Sequence, residues 1–276
     1  MTKGFVIIMG RGEGMRKVLF FDIDGTLTDI HGGVPEIPVG AKRKMKELQK
    51  QGHLLFLASG RPYAFIPKML TDFGFDGAVL CNGAHVEMNG EFIYHQTTDL
   101  EKTKNLVRHL HENNFEYIIE TKRGAYLDPQ FKVLEEFFIS CNINEDYLIG
   151  DFRRDEVIKD CLKLEASVPA EYQTKIEEII QGDFNYDKHG TENAFEIYSN
   201  VISKATGVQK VLEHLNLQLQ DSYAFGDGLN DLEMIKTVGT GVAMGNAVAE
   251  LKAVSDIVCD TISNNGLEKV LTELFG

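Results

Sequence analysis

The densest chemistry in this sequence lies in two short acidic stretches, Asp22-Ile23-Asp24-Gly25-Thr26 and Gly226-Asp227-Gly228-Leu229-Asn230-Asp231. Each follows an apolar run and carries glycine, as where a strand ends in a turn. In open parallel sheets the ligand crevice lies beyond such carboxyl ends. Carboxylates two positions apart in extended chain, such as Asp22 and Asp24, point to the same side and can reach one ligand. Left alone, such a pair repels itself and raises one pKa; a divalent cation removes the conflict. Asp22, Asp24, Asp227 and Asp231 therefore form a candidate oxygen shell for magnesium, which takes few carboxylates plus waters and a substrate phosphate. The plainer alternative is that each Asp caps its own turn or helix start.

Further polar groups stand at comparable points. Ser59 follows the run Leu54-Leu55-Phe56-Leu57-Ala58, and Gly60 frees the backbone there to approach a ligand. A hydroxyl with adjacent N–H groups can hold a phosphate oxygen, or the serine can simply cap a helix whose first turn contains Pro62. Arg61 and Asn82 could reach a substrate, as could the stretch around His189. Lys204, in Ile202-Ser203-Lys204-Ala205-Thr206-Gly207, starts a helix; a lone lysine in that place is commonly solvated.

These groups need a scaffold that brings distant strand ends together. Residues 17–22, 54–58 and 78–81 read as buried strands, and helices are expected after Pro38 and after Pro62 to about Phe73. Strand and helix alternate as in crossover units on a parallel sheet. After Asn82 the pattern changes: Asn89-Gly90 between two apolar segments signals a hairpin, followed by mixed helices and strands. Parallel logic returns near Ser203. The expected fold is α/β, a Rossmann-like parallel-sheet core discontinuous in sequence (residues 16–83 and 197–276) with an inserted α+β cap (residues 84–196). Residues 1–15 read as a leader, with Met15 a plausible start. Gly10, Gly12 and Gly14 imitate a nucleotide-binding loop, but a strand rather than a helix follows them.

Composition narrows the function. The 276 residues are 43% hydrophobic and 25% charged, with a formal net charge of -14. An acidic balance of this size argues against nucleic-acid and anionic-membrane surfaces, which need excess Lys and Arg, so an anionic substrate must meet a local positive site. Cys81, Cys141, Cys161 and Cys259 are widely spaced, without zinc spacing, which suits a reduced, cytoplasmic setting.

Taken together, Asp22-Ile23-Asp24-Gly25-Thr26, the Ser59 turn, Lys204 and Gly226-Asp227-Gly228-Leu229-Asn230-Asp231 resemble, in order and context, the four motifs of the haloacid dehalogenase-like superfamily. Ser59-Gly60-Arg61-Pro62, Cys81-Asn82-Gly83-Ala84 and the closing Asn264-Asn265-Gly266-Leu267-Glu268 are similar to its Cof-type, class II cap subgroup of sugar-phosphate phosphatases. The chain departs from the commoner pattern by having Ala205 after the motif lysine. The resemblance implies Asp22 as nucleophile and Asp24 as general acid and base. It implies magnesium held by the Asp22 carboxylate, the Asp24 carbonyl and Asp227, with Asn230 and Asp231 supporting the site. Ser59, Gly60, Lys204 and Asn230 would meet the phosphate of a small phosphorylated metabolite. A phosphosugar mutase shares these motifs, and a non-catalytic phosphate-binding regulator is a further alternative.

Overall fold

The computed structural model describes residues 16–30, 32–122, 124–140, 148–189 and 193–276. The expected leader with its glycine run, and Cys141, lie outside them.

Short apolar runs ended by glycine or polar turns supply the strands. The chain opens with β1 (Val18–Phe21), β2 (Leu54–Ala58), β3 (Gly77–Leu80), β4 (His85–Met88) and β5 (Glu91–His95). Next come β6 (Glu116–Glu120), β7 (Ala125–Leu127), β8 (Leu148–Ile149), β9 (Lys163–Ser167), β10 (Phe184–His189) and β11 (Ala194–Ser199). It closes with β12 (Ser222–Gly226), β13 (Thr240–Ala243) and β14 (Ile257–Val258).

Eight strands form one sheet in the order β14-β13-β12-β1-β2-β3-β4-β5, parallel from β14 to β3. β1 sits inside it with all four residues buried on both faces. Leu19 and Phe21 join the layer that includes Met45, Leu48, Val270 and Leu271; Val18 and Phe20 join the opposite layer with Val208, Val211 and Met234. Each such side chain contributes about 1.5–3 kcal/mol by leaving water, which anchors the strand whose end carries Asp22. The helix Val39–Lys50 buries Ala41, Met45 and Leu48, positions on one helical stripe.

The expected α/β core and α+β insert are both present, with two corrections. The hairpin β4–β5, assigned from sequence to the insert, pairs antiparallel with β3 and extends the large sheet. The end of parallel logic was visible at Asn82, but an antiparallel edge can continue the same sheet, and sequence does not reveal which sheet a hairpin joins. Residues 197–199, assigned to the core, complete β11 of the second sheet. The helix expected after Pro62 is also split, into a short turn Tyr63–Phe65 and the helix Lys68–Phe73. Pro67 stands between them without an N–H to continue the ladder.

The second sheet runs β10-β11-β9-β6-β7-β8, antiparallel except for β7 and β8. One face packs Tyr117, Ile119, Leu164, Ala166, Phe195 and Ile197 against the helices Leu100–Glu112 and Gln173–Ile180. Period-two alternation turns Glu120, Lys163, Glu165 and Glu196 to the other face. That side meets the large sheet: Leu162, Tyr198 and Ile202 cluster with Cys81 and Ala84, and Ile118, Ala125 and Leu127 cluster with Ala64 and Phe65. Among the described residues, no helix is long and apolar enough to cross a membrane.

Candidate active site

Asp22 extends β1 by one residue, its N–H donating to Phe225 O at 2.9 Å. The chain then folds back at once: the N–H groups of Leu27 and Thr28 both donate to Ile23 O at 3.0 and 2.9 Å. Gly25 takes φ +91°, and a Cβ there would lie 2.1 Å from Asp227 Oδ2, so this turn requires glycine. The chain is therefore not extended from Asp22 to Asp24. The Asp22 carboxylate is buried, whereas that of Asp24 is half exposed and gripped by Arg61, Nε to Oδ2 at 2.8 Å and Nη2 to Oδ1 at 2.9 Å.

Neighbouring β12 brings the second acidic stretch alongside. Ligand oxygens of Asp22, Asp227 and Asp231 all lie within 4.8 Å of one another. Asp231 accepts the N–H groups of Asp227 and Gly228 on Oδ2, both at 3.0 Å, so it also caps its own loop, as the plainer alternative held. Asp227 accepts from Thr26 Oγ1 at 3.0 Å.

Lys204 is far from solvated. Its ammonium is wholly buried and donates at 2.6 Å to Oδ1 of both Asp22 and Asp231. Burial alone would favour the neutral amine, but Asp22 and Asp231 outweigh it and raise the pKa, so Lys204 stays charged. Three carboxylates therefore share one buried positive charge. Burial pushes the Asp22 carboxyl well above its ordinary range, with Lys204 opposing and Asp231 and Asp227 adding to the rise. Asp227 is pushed up to about 7, by burial first and then by Asp231. This surplus of buried negative charge fits a divalent cation, which would relieve it.

Ser59 is buried at the adjacent end of β2, its Oγ accepting the Arg61 N–H at 3.2 Å. Asn82, at φ 53°, donates from Nδ2 to Glu196 Oε1 at 3.2 Å and accepts from Asn230 Nδ2 at 3.4 Å. The expected Asp24, Asn230 and Asn82 are thus present near the cluster but engaged with Arg61, with each other and with the insert. The residues 190–192 beside His189 lie outside the described residues. Sequence reading passed over Asn246, whose Nδ2 donates to Gly25 O at 2.7 Å and steadies the turn. Nothing local distinguishes this asparagine. It also passed over Lys163 and Glu196, although charge alternating with Leu164 and Ala166 along β9 was a visible signal of two-faced use.

A parallel sheet whose carboxyl ends gather buried acids, one buried lysine and a serine turn defines a hydrolase of the phosphate-handling α/β class. The chain matches the haloacid dehalogenase-like hydrolase family over residues 19–271 and belongs to it, as a Cof-type phosphatase. It is 32% identical over 265 residues to YkrA of Bacillus subtilis (strain 168), covering 94% of this chain and 97% of that one. It is 26% identical over 247 residues to an HMP-PP phosphatase of Yersinia pseudotuberculosis serotype I (strain IP32953), covering 86% and 87%. A crystal structure of a Geobacillus kaustophilus HTA426 protein superposes with a TM-score of 0.83 at 28% identity, covering 94% and 98%.

Proposed function

We propose that this phosphatase hydrolyses a small phosphate monoester, a sugar phosphate by preference, with magnesium and through a phospho-aspartate on Asp22. The carrying observation is the buried Lys204 ammonium bridging Asp22 and Asp231, with Asp227 within reach of both. It holds the Asp22 carboxylate in one orientation beside a place for the phosphoryl group.

An Asp22 carboxylate oxygen attacks phosphorus in line, the ester P–O bond breaks, and its electron pair leaves on the alkoxide, which Asp24 protonates. Asp24 then takes a proton from water. That water attacks phosphorus, the bond to Asp22 breaks, and phosphate leaves with the carboxylate restored. Ser59, the Gly60 backbone, Lys204 and Asn230 hold the remaining phosphate oxygens. Asp22, the Asp24 carbonyl and Asp227, supported by Asp231, would hold magnesium, which supplies neutralising charge for the phosphoryl oxygens. The reading favours a cytoplasmic enzyme acting on metabolites, consistent with the small phosphorylated substrate in the name of the Yersinia relative.

The test is a panel of phosphorylated sugars, nucleotides and cofactor precursors assayed with magnesium, with Asp22→Asn as the inactive reference. Sugar phosphates should head the panel. Turnover by Asp22→Asn equal to that of the parent enzyme would remove the nucleophile assignment.

A further inference from the structure

Lys163 lies on β9 of the insert, outside the catalytic cluster, and is buried. Its ammonium forms ion pairs with Glu120 Oε2 at 3.1 Å and Glu196 Oε1 at 3.0 Å and donates to Gly60 O at 3.2 Å. Two belong to its own sheet, since Glu120 stands opposite Lys163 on β6 and Glu196 lies on β11. The third is in the loop that follows β2 of the large sheet. Burial alone would strip the ammonium of its proton, but Glu120, Glu196 and Glu165 overcome this and keep it charged.

The contact fixes one particular peptide. Gly60 O and the Arg61 N–H belong to the same rigid unit. Lys163 holds the carbonyl, while Ser59 Oγ accepts the N–H at 3.2 Å. The plane is thereby gripped at both ends, and the Ser59 hydroxyl is aimed as a consequence. The same loop is tied to the next strand end, Asn82 N donating to Ser59 O and Cys81 N to Arg61 O, both at 3.1 Å.

A second branch leaves from Glu196. The Oε1 that meets Lys163 also accepts from Asn82 Nδ2, and Asn82 Oδ1 accepts from Asn230, the neighbour of Asp231. Close approach of the two sheets is what permits this. A Cβ at Gly60 would lie 3.0 Å from both Asn82 Oδ1 and Glu196 Oε1.

We propose that Lys163, with Glu196, is a positioning residue that reads the seating of the insert on the core and sets the Ser59-Gly60 loop and Asn230 for phosphate. This rests on the reading above in which those groups hold the phosphate. Seating of the insert and assembly of the phosphate site become one event, because a single ammonium serves both. Displacement of Gly60 by a fraction of an ångström changes where Ser59 points without touching the carboxylate cluster.

Deleting Lys163 alone leaves its buried carboxyl partners without the ammonium, whereas replacing Glu120 as well removes one of those partners. The test therefore uses Lys163→Met/Glu120→Gln, with Glu120→Gln as control, in the full chain. Binding of inorganic phosphate in magnesium is followed by calorimetry, and kcat and KM are measured on p-nitrophenyl phosphate. The double variant should bind phosphate about 10- to 100-fold more weakly and show a raised KM, the scale of loss typical of remote misplacement. The magnesium concentration for half activation should stay unchanged, and the control should bind phosphate as the parent does. Parental phosphate affinity and KM in the double variant, with only a lowered melting temperature, would overturn the proposal. If the double variant does not fold, Asn82→Ala cuts the second branch and carries the same expectation and the same overturning result. Phosphate binding without turnover of any ester would sink the hydrolytic reading instead, and leaves this test intact.

Discussion

Arg61 holds Asp24 by two parallel hydrogen bonds, from Nε at 2.8 Å and Nη2 at 2.9 Å, and so occupies both oxygens of the proposed proton donor. Arg61 also donates from Nη1 to Phe65 O at 3.1 Å, which steadies the guanidinium from behind. To serve as acid, Asp24 must exchange this partner for the substrate. Bidentate pairing of this kind is directional, so the exchange is a defined step rather than a loosening.

Asp24→Asn keeps the shape and the backbone carbonyl but removes the transferable proton. Hydrolysis of alkyl phosphates should fall by about 10² to 10⁴, with a smaller loss on aryl phosphates, whose phenolate leaves without protonation. The comparison uses kcat/KM on one ester of each kind, which reports steps up to release of the alcohol and so excludes the shared water step that Asp24 also serves. An equal loss on both would place the acid elsewhere.

Gly25 tests the turn. In Gly25→Ala the new Cβ meets the Asp227 carboxylate, which Thr26 already pins, and the positive φ costs about 1–2 kcal/mol. Activity should drop much further than the melting temperature does, and the magnesium requirement should rise. A variant that merely melts earlier, with parental magnesium dependence, would mean Asp227 is not part of the metal site.

Metal removal follows from the same cluster. Asp22, Asp227 and Asp231 crowd together beside one buried lysine, so chelation should abolish turnover, magnesium should restore it, and calcium, with its larger and looser shell, should inhibit. Full turnover in chelator is the contrary result.

The cluster was legible in sequence because its residues are adjacent to strand ends, and parallel strands bring such ends together whatever the loops do. Asp22, Asp227 and Asp231 converge for that reason, and Lys204 joins them from the start of the helix Lys204–Leu215. The pairing of Asp24 with Arg61 was not legible: it depends on the turn in which the N–H groups of Thr26, Leu27 and Thr28 all donate to Ile23 O. The hairpin β4–β5 was recognised as a hairpin, yet its sheet was misassigned, because Asn89-Gly90 specifies a local reversal and says nothing of the partner across it. Lys163 and Glu196 are separated by 33 positions in an insert whose packing face cannot be read from either strand alone.

Stability should depend on pH through Glu120. Burial chiefly, opposed by Lys163 and reinforced by Glu165 and Glu196, raises its pKa from 4.5 to about 8. Between those values the folded protein retains a proton that the unfolded chain has released. The stabilisation is therefore full below 4.5 and is lost as pH rises through about 8. Glu120→Gln cannot ionise, so its melting temperature should decline less than that of the parent across this window. Parallel melting curves from pH 5 to 8 would show that Glu120 is not held protonated.

The strongest test of the two-sheet arrangement asks where substrate choice resides. The acidic cluster lies at strand ends of the large sheet, and the second sheet meets the same end, with Cys81 and Ala84 packed on Leu162, Tyr198 and Ile202 and Lys163 bonded to Gly60 O. Covering a site excludes water and brings selecting groups to the leaving portion of the substrate. Because β4 and β5 belong to the large sheet, the excision must begin after Gln96, whose N–H is still bonded to Ala84 O, and end before the helix Lys204–Leu215. Replacing residues 99–199 by a Gly/Ser linker should leave, in a product shown to be folded by its circular dichroism and melting transition, slow magnesium-dependent hydrolysis of p-nitrophenyl phosphate. Discrimination among sugar phosphates should disappear, because Asn185, Asp187 and Tyr198, which line the cleft beside Lys204 and Asn230, leave with the insert. If the excised protein still ranks sugar phosphates as the parent does, selection belongs to Arg61 and the strand-end loops, and the second sheet is a cover alone.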